Sequence, residues 1–452
     1  MANFELDGTF IEAIKTLIQK KKDRKIKKQM HRFHYADIAE IIEQLEIYEA
    51  LYLVKLLDSE KTADALAEVD EDFREKILRQ LSAKEIAEEV EELDTDDAAD
   101  IIAELPEERQ EKVLSQIEDA EHLSDIRELL NYGPNTAGSL MAKELVKVHQ
   151  DLSVMKCVNA MRKQAQEVTR VHSIYVVNSK NQLMGRLSLK DLLTANARAI
   201  VNDIYIPKVD YVHVDEEVTE VAKVMSKYDL EAIPVVDNNK KLLGRITIDD
   251  IVDVIKEEAD KDYQMAAGIS NDVEADDTVL ELTRARLPWL FLGLLGGVGS
   301  VFILKDFEAI MAQPQLRSLF FYTPLIAAMA GNVGVQSSAI IVQGLANDTV
   351  KGSLIERLFK EIGLSLINGF LLSVVLVGFG EIMGQELTLS LTVAGSMMGV
   401  IVMAALIGTF VPIVLDKQGI DPAIATGPFI TTANDIFGIF LFFFMAKLML
   451  GF

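Results

Sequence analysis

The chain has 452 residues, a net charge of −25 and yet a positive mean hydropathy of +0.19. Strong negative charge argues against nucleic acid and against docking on an anionic membrane surface, and it suits cations. A single cysteine, Cys157, excludes an internal disulfide framework and any cysteine-rich zinc site, and the six histidines show no HExxH spacing.

The charge and the hydropathy belong to different halves. Residues 285–452 hold 8 basic and 10 acidic residues, which leaves 37 and 60 in the first 284, a net of −23. A soluble acidic half thus precedes an apolar half. The opening MANFELDGTF carries no apolar run, so no cleavable signal peptide is expected.

Residues 1–130 are helical by period. YADIAEIIEQL, DFREKILRQL and DDAADIIAEL each pair one apolar stripe with a charged face, and Pro106 and polar turn residues separate such segments. Short antiparallel helices stacked into a superhelix are the expected packing. The basic run KKKDRKIKKQ at 20–29 reads as a solvated helix face. In LDTDDAADII, Asp96 and Asp100 stand four apart and share a helical face, while Asp94 is placed to cap the helix.

Residues 173–193 and 232–252 repeat with an offset of 59: SIYVVNSKNQLMGRLSLKDLL against AIPVVDNNKKLLGRITIDDIV. Each runs strand, polar turn, strand with Gly-Arg, then helix, so the unit is an internal duplication. It resembles a pair of CBS domains. Ser188 with Asp191, and Thr247 with Asp250, follow the two Gly-Arg steps. The resemblance implies either a cleft that takes an adenine nucleotide, ATP or ADP, or a regulatory scaffold. TIDDIVDVIKEEADKDY then strings Asp250, Asp253, Glu257, Glu258 and Asp262 along one helix, and SKYDLEAIPVV adds Asp229. Oxygen ligands without Cys or His favour Mg2+ or Ca2+ over zinc; for any one acidic run, plain solvated acidity is the alternative.

A spanning helix needs about 20 mostly apolar residues. Five stretches meet or approach this: Leu287–Leu304, Leu319–Ala346, Ile362–Met383, Leu387–Leu415 and Ala423–Leu450. Four spans is the rival count, if the first lies in the interface. With the N-terminus inside, Arg284, Arg286, Lys351, Arg357, Lys360 and Lys417 are cytosolic and only Lys305, Arg317 and Lys447 lie outside. Asp435 sits within the fifth span beside Thr431, Thr432 and Asn434. A carboxylate at that depth marks an ion path or pairs with a neighbouring helix. The second span carries GNVGVQSS with Asn332, and Pro324, Pro412 and Pro428 are expected to break helices where a cavity is lined. No nucleophile–base set or P-loop is present, so an enzyme is not expected.

These parts in this order resemble the MgtE family of magnesium channels. The resemblance covers essentially the whole chain and rests on LLNYGPNTAGSLM, the CBS pair, the acidic linking helix, GNVGVQ and DPAIATGPFITTANDIFG. It implies a multidomain, α-rich membrane protein. The expected parts are a helical superhelix N-domain at 1–130, tandem α/β CBS domains at 131–200 and 201–253, a plug helix at 254–284, and a five-helix transmembrane domain at 285–452. It further implies a homodimer in the lipid of a bacterial inner membrane, N-terminus in the cytoplasm and C-terminus outside, importing Mg2+ and closed by cytosolic Mg2+. The pore carboxylate carries over to Asp435, with Asn332 and Thr432 beside it. Regulatory metal sites carry over to Asp96, Asp100, Asp229, Asp250, Asp253, Glu258, Asp262 and Asp421. Lys261 stands where some members have an acid and Thr219 where an acid can occur, and Gly427 and Val335 stand where an amide side chain is possible. A carrier, sodium-coupled for instance, and a nucleotide-sensing protein with a membrane anchor are the competing functions.

Overall fold

The structure is a computed structural model that describes residues 8–451 apart from 167, 169, 271–272, 276, 309–315, 348, 351 and 426. The chain divides into two compact units, Met1–Ile255 and Lys256–Phe452.

The first unit opens with ten helices among the described residues. They are α1 (Gly8–Gln19), α2 (Asp23–Met30), α3 (Tyr35–Glu43), α4 (Ile47–Val54), α5 (Ser59–Glu68), α6 (Glu71–Leu78), α7 (Ala83–Val90), α8 (Thr95–Ala103), α9 (Glu107–Leu114) and α10 (Ala120–Leu129). None exceeds 12 residues, so each is stable only through its buried stripe. The stacking is regular: α3 packs on α5, α5 on α7 and α7 on α9, while α4 meets α6 and α8 meets α10. Polar ties repeat at the same step. Lys55 pairs with Glu85 at 2.6 Å, Arg74 with Glu104, and Arg109 donates to the Leu78 carbonyl at 2.6 Å.

Two three-stranded sheets follow. In the first, β1 (Val146–His149) runs parallel to β2 (Ile174–Val177), which pairs antiparallel with β3 (Leu183–Leu187); α11 (Val154–Gln164) and α12 (Leu189–Thr194) flank them. The second repeats this pattern with β4 (Val212–His213), α13 (Val218–Tyr228), β5 (Ala232–Val236) and β6 (Leu242–Thr247). The duplicated Gly-Arg steps fall on β3 and β6. Their glycines have a steric reason: a Cβ at Gly244 would stand 2.6 Å from the Ala142 carbonyl oxygen, and one at Gly185 would strike the Ile206 carbonyl. The helical domain and the second sheet share one apolar core, joined through Met141, Ile233, Ile246 and Ile251.

The repeat diverges after its second strand. Where α12 has 6 residues, α14 runs from Ile248 to Ala267 without a break. Asp250 and Asp262 therefore ride one helix. The segment 254–284, expected as a plug helix, comprises the later part of α14, the connection after Ala267 and the start of the helix from Val279, and the boundary between the two units falls inside α14.

The second unit holds five helices long and apolar enough to cross a membrane: α15 (Val279–Asp306), α16 (Thr323–Ala346) with a 3-10 lead-in from Arg317, α17 (Leu354–Ile382), α18 (Leu387–Lys417) and α19 (Gly427–Leu450) with a 3-10 lead-in from Pro422. α15 and α17 begin about two turns before the apolar stretches do. Thr278 with Glu281, and Ser353 with Glu356, close reciprocal caps there, and charged residues occupy the added turns. The prolines break less than expected. Pro324 and Pro428 stand in the first turn of α16 and α19, where no helical hydrogen bond is lost, and α18 continues through Pro412.

Candidate metal centre

The acidic centre of the first unit is built on the start of α8. Asp94 has the backbone of a helix cap, but its side chain makes no cap hydrogen bond. The capping is done from across the fold instead. Glu144 Oε2 accepts from the Thr95 N–H at 3.2 Å and from Thr95 Oγ1 at 2.9 Å, and the Lys143 N–H donates to that same hydroxyl at 2.9 Å. Arg245, 6% exposed on β6, binds the Glu144 carbonyl through Nε and Asp94 Oδ2 through Nη2 at 3.4 Å. Asp94 is thereby released from capping. It joins Asp96 and Glu144 in a group whose carboxylate oxygens lie within 4.8 Å of one another.

Asp250 enters from the first turn of α14. Its Oδ2 accepts from the Thr247 N–H at 3.1 Å and from Thr247 Oγ1 at 2.7 Å. Burial raises Asp96 well above the usual carboxylate range, and Asp250, Asp97, Asp94 and Glu144 add to the rise. Burial also lifts Asp250 to about 6, against the pull of its bonds to Thr247. Asp97 rises to about 7 by burial, then through Asp250 and Asp100. Such mutually raised acids ask either for protons or for a cation.

Of the residues singled out in sequence, Asp96 and Asp250 thus meet here, with Asp100 one turn along α8. Asp229 lies elsewhere: it is exposed and ends α13 in the left-handed conformation, φ 51°. Asp253 is exposed on α14 and faces Glu68 of α5, whose carboxyl is raised by burial and then by Asp253. Glu144 stands outside every acidic run singled out in the sequence, 48 residues beyond Asp96. Asp94 was assigned to capping because no local pattern shows that a distant glutamate does that work.

The duplicated hydroxyl–carboxylate pairs are not equivalent. Ser188 caps α12 through the Lys190 N–H at 3.2 Å, with half-buried Asp191 beyond it, whereas Thr247 is tied to Asp250. Near them, the buried Tyr175 hydroxyl and His172 Nδ1 have no hydrogen-bond partner among the described residues.

In the second unit a further acid pair forms. Asp262 of α14 is raised by burial, then by Asp421 and by Glu258. Asp421 holds its own turn by accepting from the Ala423 N–H at 2.8 Å. The end of α14 packs closely here: Gly427, φ 39°, has no room for a Cβ because the Ala266 carbonyl takes the space. That contact accounts for the glycine at this position. Asp435 is half-buried midway along α19, and Asn332 is exposed on α16. The Thr432 methyl packs where Gly296 of α15 lacks a side chain. Thr426, within the segment that carries the resemblance, lies outside the described residues.

Comparison with known proteins matches three family descriptions in chain order. Residues 33–135 match the MgtE intracellular N domain, 137–198 and 201–257 the CBS domain, and 323–445 a divalent cation transporter, MgtE. The chain is 34% identical to the magnesium transporter MgtE of Bacillus subtilis over 71% of each chain. It is 34% identical to that of Thermus thermophilus over 72% of each. Among solved structures it is similar to the cytosolic domain of the Mg2+ channel MgtE in complex with ATP. That match has 30% identity and a TM-score of 0.51, and covers 54% of this chain and 99% of the other. It is also similar to the soluble part of a magnesium transporter, at 28% identity and a TM-score of 0.50, over 55% and 98%.

Proposed function

Because the chain belongs to the MgtE family of magnesium transporters, which are not enzymes, we propose that it is a magnesium-selective channel closed by Mg2+ on its cytosolic side. It is a multi-pass membrane protein with five candidate spans. In this reading it sits in a bacterial inner membrane with the N-terminus inside, and it works as a homodimer because one Asp435 supplies half of a symmetric ion site. Mg2+ sheds its waters reluctantly. The paired Asp435 carboxylates would therefore face a hydrated ion, with Asn332 and Thr432 helping.

The observation that carries the gating half is the convergence of Asp94, Asp96 and Glu144 within 4.8 Å, with Asp250 at the head of α14. The donor set fits Mg2+, since every candidate ligand is a hard oxygen. Bound there, Mg2+ supplies two positive charges. When the carboxylates are ionised and uncompensated, the start of α8, the Lys143–Glu144 segment and the head of α14 repel one another. α14 holds both Asp250 and Asp262, and Asp262 with Asp421 forms the second acid pair. ATP or ADP in the cleft between the two CBS domains would tune this closure.

Unitary currents from the full chain in liposomes, with cytosolic Mg2+ varied, test the reading. Openings that disappear cooperatively as Mg2+ rises are expected. Uptake that depends strictly on a sodium gradient, without unitary currents, would make the protein a carrier. Currents indifferent to cytosolic Mg2+ would remove the gate.

A further inference from the structure

α19 is seated in the bundle by one polar side chain that makes no polar contact. Asn434 is 0% exposed, and neither end of its amide has a hydrogen-bond partner among the described residues. A buried amide without partners costs free energy that an apolar residue would not. Its shape and place explain what it does. The amide, with the Ile430 methyl, occupies the space that a side chain at Gly334 of α16 would need: a Cβ there would overlap Nδ2 and stand 2.7 Å from Ile430 Cγ2 and 3.1 Å from Asn434 Cγ. Gly408 of α18 closes the same notch from the other side, since its own Cβ would run into the Gly334 carbonyl.

The contact is one of a stripe. Thr431, Asn434 and Gly438 recur at i, i+3 and i+7, one face of the helix. A Cβ at Gly331 would stand 3.3 Å from Thr431 Cγ2, and one at Gly438 3.0 Å from Ala330 Cβ and 3.3 Å from Val400 Cγ1. Glycines let α16, α18 and α19 close to backbone distance, and only a thin planar group fits what remains. A leucine of the same length is branched and thicker. Asp435 is the next residue, about 100° further round the helix.

We propose that Asn434 is a positioning residue for transport: keyed into the Gly334–Gly408 notch, it sets the rotation of α19 and hence the direction of Asp435. The inference rests on the reading of Asp435 as the ion-facing carboxylate. Misplacing a functional group by about 1 Å can cost on the order of a hundredfold, so a loosened key shows in ion handling before it shows in folding.

The test uses full-length protein in liposomes, with Mg2+ uptake measured against Mg2+ concentration per folded transporter and with Ca2+ as the competing ion. Asn434→Ala and Asn434→Leu are expected to raise the half-saturating Mg2+ by roughly tenfold and to weaken rejection of Ca2+, with elution profile and melting point preserved. Gly334→Ala should do the same, and Gly334→Ala/Asn434→Ala should recover in part, because the new methyl takes the space the amide leaves but still presses on Ile430 Cγ2. Where Gly334→Ala does not fold, Asn434→Ala carries the test, since it creates no overlap. Folded Asn434 variants with wild-type half-saturation and selectivity overturn the proposal. So does uptake that falls only in proportion to folded protein. Asp435→Ala, run alongside, separates the two readings. If it is inactive while the Asn434 variants are normal, only the positioning role fails. If it transports normally, both fail.

Discussion

The cluster at the start of α8 and the lone acid of α19 hold carboxylates in opposite ways. At the start of α8, Asp94, Asp96, Asp97, Glu144 and Asp250 crowd together, and burial with mutual repulsion raises several of them. In α19, Asp435 is the only acidic residue of its helix. On the proposed reading the crowded acids are candidate ligands, each replaceable in part, which suits graded sensing of an abundant ion. The isolated one has no substitute within its own chain, so it suits a path that must not hold its ion tightly. If that reading holds, the two sites differ in redundancy: losing one acid should blunt the proposed sensor and should stop the proposed pore.

The largest effect is therefore expected at the isolated carboxylate. Asp435→Ala and Asp435→Asn should lower Mg2+ uptake by about a hundredfold or more, the scale of losing a sole electrostatic partner, in a protein that still folds and inserts. Uptake near the normal rate in a liposome flux assay would break the contrast at once. Next comes Asp250→Ala, which removes one acid of the cluster and the Thr247 tie together. Half-blocking cytosolic Mg2+ should rise by about tenfold, read as the shift of the current–inhibition curve while maximal current is kept. Glu144→Gln should shift the same curve less, by about three- to tenfold, because the amide oxygen still caps Thr95 while the charge is gone. An equal or larger shift than for Asp250→Ala would mean that Glu144 outranks the acids read from sequence.

The smallest effect concerns an acid outside both sites. Glu89 of α7 is lifted to about 7 by burial, against its hydrogen bond from Ser59 Oγ at 3.3 Å. Its folded pKa exceeds the ordinary glutamate value near 4.3. The folded state thus holds the proton more tightly, and stability should fall as pH rises from about 4.5 to about 7. Urea melts at saturating Mg2+ should show that slope, and Glu89→Gln should flatten it. If the slope survives the substitution, Glu89 is not its source, and the other acids raised by burial, Asp64, Glu68, Glu104 and Asp125 among them, carry it.

Much of this was legible in the residues themselves. Periodicity and hydropathy separated a helical acidic half from five spans, and the 59-residue offset located two strand–strand–helix repeats. Each of these is a local property, written in residues that are neighbours in the chain. Asp96 and Asp250 could be named as acids on helix faces for the same reason. The family resemblance, rather than any local pattern, linked them to one site.

What local pattern could not supply is what the folded chain brings together. Asp94 looks like a cap, because a helix start followed by an apolar run calls for one. Only the fold brings Glu144 to Thr95 and frees Asp94 for Arg245 and Asp96. Gly427 looks like a departure until the Ala266 carbonyl is found where its side chain would be, and Asn434 looks like one more polar residue near Asp435 until the Gly334 notch is seen around it. Chemical type, helical period and span length follow from the sequence because the backbone imposes them residue by residue. Which donors meet which acceptors, and which glycine yields its space to which side chain, is decided by packing between segments far apart in the chain.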